Sequence, residues 1–367
     1  MASRSPTRQQ IVATRTTTKT AVLGDLRCRI VEGEFAAGSR LPTRSDLLEY
    51  YKTTPVTIQR VFDSLIADGF VEAHGRAGTF VCDQPPHLGR YVIFFPPRAH
   101  VDSELDSILW QAMINQGKDL ARANGRRVEV FDWSDASQDA AKNLEFTNSV
   151  LEHQVAGLIF PSHPAYFLDL PVMHVKGIPR VALMSEAIPG RVLAVRMGGD
   201  YLRRALDHLK TEGCSRVAML SSPGWLSTPD LQNELCSAVA ERGMTCPDLW
   251  RQAVDIHNPI GARNVTRLLF EGNPDNRPDA LLILDDNLVE AATRGLAESE
   301  LSVPGDVTVI AHANFPELAK AHVPVTRLGY DIREILRLCM DLIDRQRRGQ
   351  EVPETTELAP VFEHELD

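Results

Sequence analysis

Between residues 33 and 82 the sequence spells two short helices, a tight turn and a glycine-bounded hairpin in direct succession, and few folds accommodate that order. Pro42, Thr43 and Asp46 read as a helix start, because the Thr43 hydroxyl can cap and Asp46 sits three residues on, where it can answer. Leu47, Leu48 and Tyr51 then form one apolar stripe, which Thr53-Thr54 breaks. Thr54 can cap a second helix with Pro55 at its first position, where a missing N–H costs nothing. Val56, Thr57, Gln59 and Arg60 stand near its start, with Val61, Phe62, Leu65 and Ile66 packing behind. Gly69 ends this helix. Phe70-Val71 and Thr79-Phe80-Val81 read as short strands joined by Gly75-Arg76-Ala77-Gly78.

Small and hydrogen-bonding side chains at a helix N-terminus are what a recognition helix needs to reach base edges. The stretch resembles the winged helix-turn-helix of the GntR family of bacterial transcription regulators over about fifty residues, nearly without gaps. That resemblance implies an α+β winged helix over residues 19–82 and double-stranded operator DNA as partner. The expected DNA contacts are Arg44, Thr54, Thr57, Gln59 and Arg60, with Arg76 on the wing. Residues 1–18 hold Arg4, Arg8 and Arg15 and no acidic residue. They read as a flexible tail or, more sharply, as a basic arm touching phosphates.

Charge separates this head from the rest. Up to residue 86 there are 11 Lys/Arg against 9 Asp/Glu, a net of +2, which leaves −12 of the chain's −10 on the remainder. An acidic body suits a regulator that touches DNA only through its head. Six scattered cysteines without a Cys-x-x-Cys pair predict reduced thiols, no structural metal and no cofactor. The N-terminus has no long apolar run and no stretch reaches the ~20 apolar residues of a membrane span, so the expected location is cytoplasmic. Residues 83–90, with Pro85 and Pro86, read as a stiff linker too short for a helix of its own.

From residue 91 apolar runs alternate with helical segments. Strands are expected at 91–95, 128–131, 156–160, 178–184, 216–220, 280–284 and 307–311, separated by helices at 103–123, 141–153, 201–213, 229–243 and 287–299, with a last helix over 332–348. Continuous apolar strands between helices predict parallel sheet covered on both faces.

Several pieces in this half resemble the effector domain of the LacI/GalR regulators, relatives of the periplasmic sugar-binding proteins. They are Val155-Ala156-Gly157-Leu158-Ile159, Gly177-Ile178-Pro179, His208-Leu209 before Gly213, and Pro278-Asp279-Ala280 through Pro304-Gly305-Asp306. The resemblance implies a two-lobed α/β body of the periplasmic-binding-protein-like type I fold over residues 91–367. One lobe is expected to hold 91–193 with 324–345, the other 194–323 with the C-terminal segment. It also implies a ligand in the cleft, at the C-terminal ends of the strands. The candidates there are Arg98 and Ser162 from one lobe, and Trp225, Asp286 and Asn314 from the other. Asp286 aligns with the family's cleft aspartate, and Trp225 offers either a stacking face or a lid. Asp285-Asp286-Asn287 also reads as a helix cap that employs one of the two carboxylates, and His163 and His312 read as hydrogen-bonded loop residues.

The chain departs from the family at two places. Ala194 to Gly199 stands where an Asp-containing segment is usual, and Leu231 stands where an arginine is usual. Arg98, Arg196 or Arg327 are the cations available in exchange. Together these readings give a dimeric, ligand-responsive repressor whose effector is a sugar or a sugar derivative, or else a non-sugar ligand or none. A solute-binding sensor fits the winged helix poorly. No His-Glu-x-x-His, phosphate loop or Gly-x-Ser-x-Gly supports an enzyme.

Overall fold

The computed structural model describes residues 18–96, 107–124, 126–133, 136–223, 229–271 and 276–366. The expected arm, Arg98 and Trp225 lie outside them. Two compact units divide the chain, one running up to Arg90 together with Asn148–Val155, the other comprising Tyr91–Thr147 and Ala156 onward.

In the first unit α1 (Lys19–Val31) starts at Thr18, whose hydroxyl accepts from Ala21 N. Helix α2 (Arg44–Tyr51) opens on a complete capping box between Thr43 and Asp46, and Lys52 closes it in the left-handed conformation. Helix α3 (Pro55–Ala67) is capped by Thr54 with Pro55 in its first turn. Ile58, Val61, Phe62 and Leu65 form its buried face against Val22, Leu26, Ile30 and Leu47. Ile66, expected in that core, is 41% exposed; Ile58, about two turns nearer the start, is buried in it instead. Strands β1 (Val71–Ala73) and β2 (Thr79–Val81) form the wing, antiparallel with Glu72 opposite Phe80. Residues 86–89 are helical after all: Pro85 O accepts from Leu88 N and Gly89 N, making the one-turn helix α4 (Pro86–Gly89). Proline fixes the backbone angle a first helical turn needs, and His87 of that turn stacks on Phe70 with ring centroids 5.7 Å apart.

The second unit runs, in chain order, β3 (Arg90–Phe95), α5 (Ile108–Asn124), β4 (Arg127–Asp132), α6 (Ala136–Leu151), β5 (Gly157–Phe160), β6 (Arg180–Leu183), β7 (Leu193–Met197), α7 (Tyr201–Thr211), β8 (Val217–Ser221), α8 (Pro229–Glu241), β9 (Arg251–Ala253), α9 (Pro259–Phe270), β10 (Ala280–Ile283), α10 (Val289–Ala297), β11 (Thr308–Phe315), β12 (Thr326–Asp331), α11 (Ile332–Arg347), β13 (Thr355–Leu358) and β14 (Val361–Phe362). Its strands make two six-stranded sheets, ordered β13-β7-β6-β5-β3-β4 and β14-β12-β11-β10-β8-β9. The central pairs are parallel, and β14 runs antiparallel to β12. Helices cover both faces, so the central strands are buried throughout, as their unbroken apolar runs require. Among the described residues no helix is long and apolar enough to cross a membrane.

The lobe boundaries differ from those expected. Strand β7 keeps the first lobe going to Met197, and β12, expected in the first lobe, belongs to the second sheet. Helix α11 returns to the first lobe, where Ile343 packs so close to β5 that a Cβ on Gly157 would lie 2.7 Å from it. Tyr91 on β3 donates to Asp344 of α11, and Asp344 also accepts from Arg126 and Arg347, each at 3.0 Å. The chain thus passes between lobes three times: after β7, after β12 and after β13. Strand β9 and helix α9 were not expected, although Asn258 followed by Pro259 carries the cap signal that α9 uses.

Candidate functional site

The first half of the site is the start of α3. Capping it consumes Thr54, whose Oγ1 accepts from Thr57 N at 3.2 Å and lies 2.9 Å from the Thr57 hydroxyl. With its first turn held, the helix presents Val56, Gln59 and Arg60 outward and leaves Thr57 half-buried. Gln59 Nε2 donates to Asp63 Oδ1 at 2.7 Å, so its amide is already oriented along the exposed face. The Arg44 guanidinium, at the start of α2, lies 5.3 Å from the Phe62 ring centre. Arg76 is exposed on the wing turn. All six residues expected to meet DNA belong to this unit, and its helix starts and wing present exposed donors and cations. Val56, named near the start of this helix but not among the expected DNA contacts, is 60% exposed.

The second half is a cavity of about 620 Å³ between the lobes of the body. The first lobe supplies Pro161 and Ser162 after β5, Leu183 to Ser185 after β6, and Val195 to Gly199 along and after β7; Leu109 on α5 completes that wall. The second lobe supplies Leu202 of α7, Glu234 and Leu235 of α8, and Leu284 after β10. The walls are mostly apolar, and their charged side chains are Arg196 and Glu234. Arg196 also pairs with Glu357 on the neighbouring strand β13. Of the two candidate cations among the described residues, Arg196 lines the cavity, whereas Arg327 bonds Ala319 O at 3.3 Å and Glu363 at 3.4 Å.

Ser162 lines this cavity, whereas Asp286 and Asn314 do not. Asp286 is 3% exposed and accepts from Asn314 Nδ2 at 2.7 Å. Burial, reinforced by the neighbouring charge of Asp285, raises its carboxyl to about 7. Asp285 is the capping aspartate, accepting from Asn287 N at 3.1 Å and Asn287 Nδ2 at 2.9 Å. His312 lies inside β11, not in a loop; burial lowers its imidazole to about 4. Its ring sits 5.3 Å from Tyr201 and 5.9 Å from Tyr330. Period-two alternation puts His312 and Asn314 on one face of β11, where Tyr201 of α7 meets His312; both faces of this strand are enclosed.

Among the described residues, two side-chain hydrogen bonds between distant segments join the lobes. Ile108 N at the start of α5 donates to Asn287 Oδ1 at 3.1 Å, and Asn115 Nδ2 donates to Glu317 Oε1 at 2.9 Å. These pairings were not expected, and nothing local in the sequence marks them, because each partner lies some 180 to 200 positions away. Among the described residues no group of three His, Cys, Asp or Glu side chains is placed to hold a metal ion.

Comparison with known proteins follows the same division. Residues 18–81 match the profile of bacterial regulatory proteins of the gntR family, and residues 206–363 match a periplasmic binding protein-like domain. An arabinose metabolism transcriptional repressor from Geobacillus stearothermophilus is 20% identical over 345 residues, covering 84% of this chain and 86% of that relative. Catabolite control protein A of Priestia megaterium is 23% identical over 240 residues, covering 62% of this chain and 69% of that protein. Among solved structures, a LacI-family regulatory protein from Chloroflexus aggregans superposes with a TM-score of 0.57 at 19% identity, covering 74% of this chain and 96% of that one. A LacI-family regulator from Arthrobacter sp. FB24, in complex with lactose, gives 0.54 at 17% identity, covering 75% and 97%. At these identities the superpositions speak for the fold.

Proposed function

We propose that this chain, which joins a GntR-type winged helix-turn-helix to a LacI-type periplasmic-binding-protein-like body, is a sequence-specific transcription regulator, a repressor released from its operator by a small effector. The observation that carries the reading is the α3 start: a capped helix with its first turn fixed and Val56, Gln59 and Arg60 turned outward beside a wing bearing Arg76. Arg44, Thr54 and Thr57 complete the proposed DNA surface.

The effector belongs in the inter-lobe cavity, whose volume suits a small molecule. Ser162 would meet it from the first lobe; Arg98 and Trp225, the other candidates, lie outside the described residues. Asp286 and Asn314, expected to meet it from the second lobe, are instead enclosed and bonded to each other. A ligand touching both lobes has different affinities for their open and closed arrangements, and only such a difference can shift DNA binding. The Ile108–Asn287 and Asn115–Glu317 bonds are the contacts that an opening would break. A sugar or sugar derivative is the proposed effector. The mostly apolar wall and the enclosed Asp286 favour, as a second reading, a ligand with fewer hydroxyls.

Operators read by helix-turn-helix dimers are palindromic, so the regulator is proposed to be a homodimer held by its body. Ile260 and Leu268, 64% and 69% exposed on one row of α9, give that interface apolar anchors. Gel-shift against genomic fragments, repeated with pentoses, hexoses, uronic acids and their phosphates, tests the whole reading. Retention of a discrete fragment that one ligand class releases is the expected result. Failure to retain any fragment sinks the regulator reading, and retention indifferent to every ligand sinks the effector.

A further inference from the structure

The wing has a cation that the expected DNA surface omitted. Arg40 lies just before α2, and its backbone joins the wing as a third extended segment: it bridges Phe80, while Leu41 N donates to Thr79 O at 2.9 Å and Val81 N to Ser39 O at 2.8 Å. The root of the side chain is therefore as fixed as the wing itself. Its guanidinium lies against Gly78, the last residue of the wing turn. A Cβ on Gly78 would stand 2.7 Å from Arg40 Nε and 3.1 Å from Nη2. Gly78 also has φ +113°, which L side chains rarely adopt, so the backbone itself favours glycine there, and any side chain would in addition push the Arg40 guanidinium aside.

On the other side is the start of α2. Asp46 there accepts from Thr43 N at 2.9 Å and from the Thr43 hydroxyl at 2.7 Å. Its carboxyl is thus employed in the cap. The guanidinium is exposed between the two elements that carry Arg44 and Arg76. A planar cation with forked donors at such a junction fits a phosphate oxygen.

We propose that Arg40 contacts a DNA backbone phosphate between the recognition-helix and wing contacts, and that the missing side chain at Gly78 leaves room for this guanidinium. The inference rests on the DNA-binding reading and extends it to a residue that reads no base. A phosphate contact adds affinity for all sequences alike and adds to the salt dependence.

The test uses the full chain and two probes, a random-sequence duplex and a genomic fragment the wild type retains, titrated by fluorescence anisotropy across a range of salt. Arg40→Gln should weaken both probes by the same factor and lower the slope of log affinity against log salt by about 0.9. Arg40→Lys should keep the slope, because the charge remains. Gly78→Ala, which also strains the wing turn, should weaken both probes at least as much as Arg40→Gln, and the loss in the double variant should fall short of the sum, since both changes remove the same contact. An unchanged slope in Arg40→Gln overturns the phosphate contact, whatever Gly78→Ala does. Additive losses in the double variant overturn the role given to Gly78. If the wild type binds neither probe, the DNA-binding reading itself fails, an outcome distinct from both.

Discussion

Replacing Asp286 by Asn should change how the body's stability depends on pH, in a direction fixed by where this carboxyl sits. In the fold it titrates at about 7 against an ordinary 3.8, because it is enclosed and faces the charge of Asp285. The folded state therefore holds a proton that the unfolded chain releases. A raised carboxyl contributes stability that is complete below the unfolded value and lost as pH rises through the folded one. The difference corresponds to about 4 kcal/mol across that window. His312 acts in the opposite sense: lowered from 6.5 to about 4 by burial, it contributes stability above 6.5 that is lost as pH falls through 4. Between pH 4 and 6.5 the two slopes oppose each other in the wild type. Asn keeps the size of Asp286 and can still accept from Asn314 Nδ2, but it cannot ionise. The variant should gain on the wild type by up to about 4 kcal/mol between pH 4 and 8, and should show the acid lability of His312 unopposed. Urea unfolding of the body transition at half-unit pH steps measures this. A wild-type-minus-variant difference that stays flat across the range would refute the argument, because it would mean that Asp286 ionises in the fold as it does in water.

Other perturbations probe the remaining elements. Asp344→Ala strips Tyr91, Arg126 and Arg347 of their shared acceptor and should cost about 3 kcal/mol, the low end for a broken buried pair because Arg126 is partly exposed. A body of this size should then melt about 5 °C lower by calorimetry, and an unchanged melting point would refute the role of this staple. Gln59→Ala should alter preference at one base pair by about 1–3 kcal/mol in competition binding, whereas Arg76→Ala should weaken all sequences equally; no change in either would remove both from the DNA surface. Ile260→Glu combined with Leu268→Glu should shift the full chain from dimer to monomer in sedimentation, and an intact dimer would move the interface off α9.

What the sequence by itself determined is whatever local chemistry encodes. Thr43 with Asp46, Thr54 with Pro55, and Gly69 specify the helix starts and stop of the winged unit within a few residues of each, so α2, α3 and the wing were legible directly. Apolar runs separated by helical periods likewise carried the alternation of the body. The same local reasoning missed α4, β9 and α9. It missed β9 because a three-residue strand has too few positions to show a period, and its existence depends on the partner β8. Membership of a lobe is a still longer-range property. Strand β12 reads like any other strand, and its place beside β11 rather than in the first lobe follows from pairing along the sheet. The site divides in the same way. Ser162 could be placed at a strand end from sequence, and the structure puts it on the cavity wall. Asp286 could be aligned with a cleft aspartate, but its enclosure, its bond to Asn314 and its near-neutral titration come from the packing around the second sheet. Chain-local signals fix which residues begin a helix or end a strand. Only packing between segments far apart in sequence fixes which side chains keep contact with water, and hence which of them carry charge.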